Sequence, residues 1–339
     1  MSTIRDVAKL ANVSAATVSR VLNQDSTYKI TEETKQRVYR AVEELDYKFQ
    51  SRSSRQKEND TAQDPALVKI GCIMSVTKRK YSDPYFMAIL SGAEEQLSSR
   101  GYSVSFIRAG SELTDKNLLQ TTFAEDVTGL LLMETLNSDI YQYIHERVPH
   151  IVGIDTGRSD IDNVGYDHHQ VALDGTHHLI GLGHRKIGFI GGSGESGRLI
   201  LSRRFQGYGL AMHTEELTVN PDWVIDCEWD EEVCSAKVSE LCRKGNLPTA
   251  FFVASDLMAI AAINALTKNG VSVPEDVAVI GMSDIDIARF TTPPLTTFRV
   301  PKEEIGALAA RLLIERINGS TLLPQKVTLP SELILRGSV

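Results

Sequence analysis

No apolar run in the 339 residues comes near the roughly 18–20 that a membrane helix needs, so insertion into a bilayer is not expected. A secretory signal is missing too. The opening MSTIRDVAKL carries Arg5, Asp6 and Lys9 where an exported chain would place an apolar stretch. Cysteine is scarce: Cys72, Cys227, Cys234 and Cys242 form no CxxC pair and no metal-finger spacing. Reduced thiols in a cytoplasmic protein are the simple expectation. No GxSxG elbow and no Ser-His-Asp or Cys-His grouping stands out, so hydrolytic catalysis has no candidate residues. What remains is ordinary soluble composition, 42% hydrophobic and 24% charged, in a chain long enough for two or three domains.

The net charge of −8 argues against indiscriminate nucleic-acid binding, yet it is unevenly spread. Residues 1–57 hold 11 Lys/Arg against 7 Asp/Glu, and the rest of the chain holds 25 against 37. A small basic head therefore precedes a large acidic body. Within the head, Ile4, Val7, Ala8 and Ala11 recur at helical spacing, with Thr3 as a candidate N-cap. Asn12-Val13 breaks the pattern, and Ser14 can cap a second helix running to about Asn23. A third helix is expected from Thr31, with Val38, Ala41, Val42 and Leu45 as its buried stripe. The stretch from Gln50 to Asp64 has only Ala62 as an apolar residue and reads as a linker. The expected divisions are 1–49, 50–67 and 68–339.

Beyond Val68, short apolar runs alternate with helical patterns, the signature of βαβ units and a largely parallel sheet. The runs are 68–74, 102–107, 129–133, 150–154, 186–190, 223–227, 250–253 and 277–281. Lys69-Ile-Gly-Cys-Ile73 recurs as Lys186-Ile-Gly-Phe-Ile190, which suggests two similar lobes with a ligand cleft between them.

Two short helices on a basic head fit a helix-turn-helix. Ala8 and Ala11 are small enough for the helices to cross closely, and Asn12 tolerates the left-handed turn. In the second helix Val18, Val21 and Leu22, with Val13 before it, would be buried. Ala15, Ala16, Thr17, Ser19 and Arg20 would face DNA. The alanines can touch thymine methyls, and Arg20 can pair with guanine O6 and N7. Ser14, Ser19, Asn23 and Thr34 suit phosphate contacts. A small helical bundle with an accidental pattern is the plainer reading.

The run from Ile4 to Asn23, IRDVAKLANVSAATVSRVLN, resembles the headpiece of the lactose/galactose repressor family. The resemblance continues in Thr31-Glu-Glu-Thr34, Leu45-Asp-Tyr47, Gly183-His-Arg-Lys-Ile-Gly188 and Arg204-Phe-Gln-Gly-Tyr208. It ends in Ala254-Ser-Asp256, Val279-Ile-Gly281 and Pro293-Pro-Leu-Thr-Thr297. It implies an α-helical helix-turn-helix headpiece followed by an α/β two-lobed body like type I periplasmic sugar-binding proteins. It also implies a homodimer on a near-palindromic double-stranded DNA operator, a small sugar effector, galactoside-like, and no cofactor. Ile4, Thr31 and Tyr47 join the candidate DNA contacts on this ground. One departure stands out. Phe49-Gln50 replaces the family's Pro-Asn pair, and Gln56 stands where a leucine would wedge into the minor groove. A wedge must be apolar, so operator kinking by this hinge is not implied.

For the effector, the resemblance places stacking aromatics at Tyr85 and Phe86 and a gripping guanidinium at Arg204. Asp155, Ser255, Asp256 and Ser283 fall at strand ends, where an α/β cleft takes its ligand. Trp229 is a candidate cover for a sugar ring. Tyr85, Phe86 and Trp229 could equally be core aromatics, and Arg204 the partner of a surface carboxylate. Asp284 is read as a loop-holding residue.

A rival reading comes from Gly192-Ser-Gly-Glu-Ser-Gly197, which matches GxGxxG after a strand, with Glu215 and Glu216 about 20 residues on. An NAD-dependent oxidoreductase would use it, but that leaves the basic head and first lobe without a purpose. His168, His169, His177, His178 and His184 fall in adjacent pairs or alone, and only Asp174 with His178 has the i, i+4 spacing of helical ligands. No metal site is expected.

Overall fold

The computed structural model describes residues 4–22, 30–45, 65–74, 83–124, 126–194 and 197–339. Thr3, Asn23, Tyr47, Gln56 and most of the linker lie outside them, as do the side chains of Ile4, Ala16 and Leu22. The chain divides into two units, residues 1–63 and 64–339.

In the first unit, α1 (Ile4–Leu10), α2 (Ala15–Leu22) and α3 (Glu32–Glu44) enclose Val7, Ala8, Ala11, Val18, Val21, Val38 and Ala41. The α1–α2 turn follows from Asn12, whose φ of 52° ends α1. Asn12 N–H donates to Lys9 O at 3.3 Å and Val13 N–H to Ala8 O at 3.0 Å, the two bonds of a Schellman cap. Ser14 Oγ then accepts Thr17 N–H at 3.0 Å and starts α2. Thr31 Oγ1 does the same for Thr34 N–H at 3.4 Å and starts α3.

The second unit holds two six-stranded sheets. The first runs β11-β5-β4-β3-β1-β2, from β1 (Ile70–Met74), β2 (Val104–Ala109), β3 (Gly129–Met133), β4 (His150–Ile154), β5 (Asp162–Tyr166) and β11 (Lys326–Leu329). The other runs β12-β10-β9-β8-β6-β7, from β6 (Ile187–Gly191), β7 (Val224–Asp226), β8 (Ala250–Val253), β9 (Ala278–Ser283), β10 (Thr296–Arg299) and β12 (Glu332–Ile334). The short repeat around Lys69 and Lys186 marks β1 and β6, which hold equivalent places in the two sheets. All pairings are parallel except β10–β12.

Helices cover the sheets: α4 (Pro84–Ser98), α5 (Lys116–Thr122), α6 (Ser138–His145), α7 (His168–Gly181), α8 (Arg203–Thr214), α9 (Glu231–Lys244), α10 (Asp256–Lys268) and α11 (Lys302–Ile317). α4 and α11 cross at glycines. A Cβ on Gly306 would stand 1.9 Å from Ile89 O, and one on Gly92 2.0 Å from Glu303 O.

Four strands escaped the apolar-run reading: β5, β10, β11 and β12. The first two carry polar residues at buried positions, which side chains distant in sequence satisfy. Arg316 holds Asp162 with bonds of 2.6 and 2.9 Å. Ser338 Oγ accepts Thr296 N–H at 2.8 Å, and Thr297 Oγ1 donates to Asp256 at 2.5 Å. β2 begins at Val104 rather than Tyr102, and β7 is limited to Val224–Asp226.

Candidate functional site

The carboxyl ends of strands from both sheets open on one cavity of about 810 Å³. Residues with left-handed backbones collect there: Glu134 (φ 65°) after β3, Asp155 (55°) after β4, Glu228 (53°) and Trp229 (58°) after β7, and Ser283 (122°) ending β9. Such conformations are costly for residues with a Cβ, and they persist where surrounding structure enforces them. Glu134 N–H donates to Ile154 O at 2.8 Å and Asp155 N–H to Val164 O at 2.9 Å, so the neighbouring strands hold these side chains at the cavity wall.

Seven of the eight effector candidates line this space: Tyr85, Phe86, Asp155, Arg204, Trp229, Ser255 and Ser283. Asp256 does not. It is fully buried, accepting Thr297 Oγ1–H and, at 2.9 Å, Ile285 N–H, and burial pushes its carboxyl up to about 6. Its job is to fasten β10 and the loop after β9. Asp284 holds the chain as expected, taking Arg336 at 2.6 Å and Arg299 at 3.1 Å.

The cavity floor is a network that sequence reasoning found only in part. Tyr85 Oη donates to Asp155 Oδ2 at 3.1 Å, and Tyr166 N–H reaches Asp155 Oδ1 at 3.4 Å. Arg204, its side chain 12% exposed, donates to Tyr166 Oη at 3.3 Å, faces Met282 Sδ at 3.3 Å and lies 3.9 Å from Glu134 Oε1. Its guanidinium carbon also stands 5.2 Å from the Trp229 ring centre. His168 packs against Tyr166 with ring centres 4.2 Å apart and the ring planes tilted by 53°. Its Nε2 is 3.4 Å from Asp155 Oδ1, close enough for charge attraction but without hydrogen-bond alignment. Burial and Arg204 hold the His168 imidazole below its ordinary pKa. Burial raises Glu134 to about 7; Asp155 adds to the rise while Arg204 opposes it.

Glu134, Tyr166 and Arg203 were missed, and His168 was weighed as a capping or packing residue before a metal ligand, not as part of the cleft. The one available signal was position: Glu134 follows the Gly129–Met133 run as Asp155 follows the next. Among the described residues no His/Cys/Asp/Glu group could hold a metal, and no helix is long and apolar enough to cross a membrane. The glycine turn after β6 gives dinucleotide binding no support. The Trp229 ring lies over it, 2.5 Å from where a Gly192 Cβ would be, and α8 starts only at Arg203.

Ser14, just before α2, is exposed, and Thr17, Ser19 and Arg20 on α2 are partly exposed. Ala15, also partly exposed, packs against the headpiece core that holds Val18 and Val21. Ser14, Thr17, Thr31 and Thr34 already share hydrogen bonds at the starts of α2 and α3.

Residues 3–50 match the family model for bacterial regulatory proteins of the lacI family, and 176–339 that for a periplasmic binding protein-like domain. The HTH-type transcriptional repressor MelR of Bacillus subtilis (strain 168) is 32% identical, over 100% of this chain and 97% of its own. The chain belongs to the LacI family. It is a DNA-binding transcriptional repressor of that family with a ligand-binding domain. The repressor PurR of Haemophilus influenzae (strain PittEE) is 34% identical over 100% of this chain and 99% of its own. Among solved structures, a CelR–cellobiose complex matches with TM-score 0.73 and 29% identity, covering all of both chains. The lac repressor dimer bound to operator and an anti-inducer shares the fold, with TM-score 0.68 and 24% identity over 99% of this chain and 98% of that one. LacI-family repressors bind DNA operators and small-molecule effectors, and this chain's two-sheet body has that architecture.

Proposed function

We propose that operator affinity in this repressor is controlled by a small neutral sugar, galactoside-like, held between the two lobes. The observation that carries this reading is the cavity itself, which pairs aromatic faces (Tyr85, Phe86, Trp229) with fixed polar groups (Arg204, Glu134, Asp155). A sugar needs both: C–H surface to stack on aromatic rings, and hydroxyls that donate and accept. A volume of about 810 Å³ has room for a disaccharide, the size class of the cellobiose in the CelR complex. Acidic side chains far outnumber the two arginines on the lining, which disfavours a phosphorylated sugar.

Residues 1–49 act as the reading head, 50–67 as the linker, and 68–339 as the effector and dimerisation body in the cytoplasm. Two heads of a homodimer dock on a near-palindromic operator. Arg20 reads a guanine and Ala15 and Ala16 a thymine methyl, while Ile4, Ser14, Thr17, Ser19, Asn23, Thr31, Thr34 and Tyr47 complete the contact with DNA. Effector binding favours one arrangement of the lobes, and that arrangement misplaces the heads.

The test is operator selection with purified protein, followed by binding with and without neutral galactosides. A purine base belongs in the panel because the same aromatic faces would stack a flat heterocycle. Release of a selected palindrome by a galactoside is expected. Release by the purine alone would replace the sugar reading, and absence of any sequence-specific binding would remove the operator reading.

A further inference from the structure

Gly192-Ser-Gly194 after β6 has the glycine spacing of a dinucleotide loop, yet an indole occupies the space beside it. A Cβ on Gly192 would stand 2.5 Å from Trp229 Cδ1, 2.5 Å from Nε1 and 2.6 Å from Cε2. Three successive ring atoms at nearly one distance place that Cβ over the face of the five-membered ring, not at its edge. The indole therefore lies flat on the backbone of a buried glycine. Carbons in ordinary contact stand about 3.5–4.0 Å apart, so a side chain here must lift the ring by about 1 Å. Both residues line the effector cavity. The face turned away from the glycine is the one left for a ligand.

The backbone around Trp229 is fixed with equal care. Asp226, at the end of β7, ties the glycine turn to the turn that carries the indole. Its Oδ1 accepts Ser193 N–H and Glu228 N–H, each at 3.1 Å. Beside them Cys227 N–H donates to Gly191 O at 2.8 Å. Asp230 N–H donates to Cys227 O at 2.9 Å, closing a tight turn over Glu228 and Trp229, whose φ angles are 53° and 58°. The Asp230 carboxylate then starts α9 by accepting Glu232 N–H and Val233 N–H at 3.0 Å. A ring so held is ordered before a ligand arrives, and its ordering costs nothing on binding.

We propose that Gly192 is a positioning residue for the effector: its missing side chain seats Trp229 at the depth at which the indole can cover a sugar ring. This rests on the sugar reading argued above. It gives the glycine turn a purpose that needs no phosphate. Any substituent on Gly192 drives the ring off its seat and into the cavity.

The experiment is a double-mutant cycle on the full-length protein: wild type, Gly192→Ala, Trp229→Ala and the pair. Each is titrated calorimetrically with the neutral disaccharides melibiose and lactose, and each has its fluorescence emission and urea midpoint recorded. Gly192→Ala should weaken the binding of the disaccharide that the wild type takes by about tenfold. In the Trp229→Ala background, where the methyl has room, the same change should cost less than about twofold. Emission and midpoint close the cycle without a ligand. Gly192→Ala should shift the emission maximum and lower the midpoint, and both effects should vanish with Trp229→Ala, where Trp223 is the only emitter. Equal losses in the two backgrounds would overturn the proposal, because Gly192 would then act through β6 rather than through the indole. Unchanged affinity and emission in Gly192→Ala would overturn it as well. A wild type that binds neither disaccharide would remove the sugar reading, while an emission shift confined to proteins with Trp229 would still uphold the seat.

Discussion

Glu134 and Asp256 are both carboxylates in the body, and their surroundings give them opposite tasks. Asp256 has no access to the cavity and spends its oxygens on Thr297 and Ile285. Burial lifts it to about 6, so in the folded state it resists ionisation more than in the unfolded chain. A carboxyl whose folded pKa is raised contributes most below its unfolded pKa, and that contribution is lost as pH rises through the folded one. Asp256→Asn should therefore flatten the pH dependence of stability between pH 4 and 6. At pH 7.5 it should raise stability, or leave it unchanged within about 1 kcal/mol, because the amide oxygen can still accept one of the two bonds. Urea denaturation across that pH range checks this, and a loss of several kcal/mol at pH 7.5 would show that the charge itself holds the loop. The sequence placed Asp256 and Ser255 equally at a strand end; only the direction of their side chains separates them.

Among the elements, the crossing of α4 and α11 is the most tightly dictated by residue choice. Gly92 and Gly306 let two helices approach until backbone meets backbone. Gly306→Ala puts a methyl 1.9 Å from Ile89 O in a place where neither backbone can yield cheaply. A loss of about 2–4 kcal/mol is expected despite the gain in helix propensity, read as a lower urea midpoint. An unchanged midpoint would mean the helices can part without cost. The headpiece helices were legible in sequence because their signals are local: Asn12 for the turn, Ser14 and Thr31 for the caps, and valines at helical spacing. β5 and β10 were not, because Asp162, Thr296 and Thr297 are tolerated in buried strands only through Arg316, Ser338 and Asp256. No window of neighbouring residues contains those partners.

At the scale of the whole molecule, the question is how a site in the body governs a separate head. Arg204 gives this a test, because it belongs to the network and lies on a helix of the second lobe while touching Tyr166 and Glu134 of the first. Arg204→Ala should weaken effector binding by about ten- to a hundredfold, the worth of one or two hydrogen bonds to a charged group. Operator affinity without effector should stay within about twofold if the heads fold independently of this network. Fluorescence anisotropy on labelled operator, with and without sugar, reads both. A parallel fall in DNA affinity would assign Arg204 to the fold rather than to signalling.

The sequence by itself determined the helix-turn-helix, the alternation of strands and helices, the two-lobed plan and seven of the residues that line the cavity. Each of these is written in spacing, composition or a run of matching residues along the chain. Only the tertiary structure decided that Asp256 turns away from the cleft, that Glu134, Tyr166 and His168 turn into it, and that Trp229 covers the glycine turn at Gly192. Those outcomes depend on which strand ends meet across the cleft and on which distant side chain neutralises a buried polar group. Hydrogen bonding and charge balance between residues a hundred positions apart leave no periodic trace in the chain that encodes them.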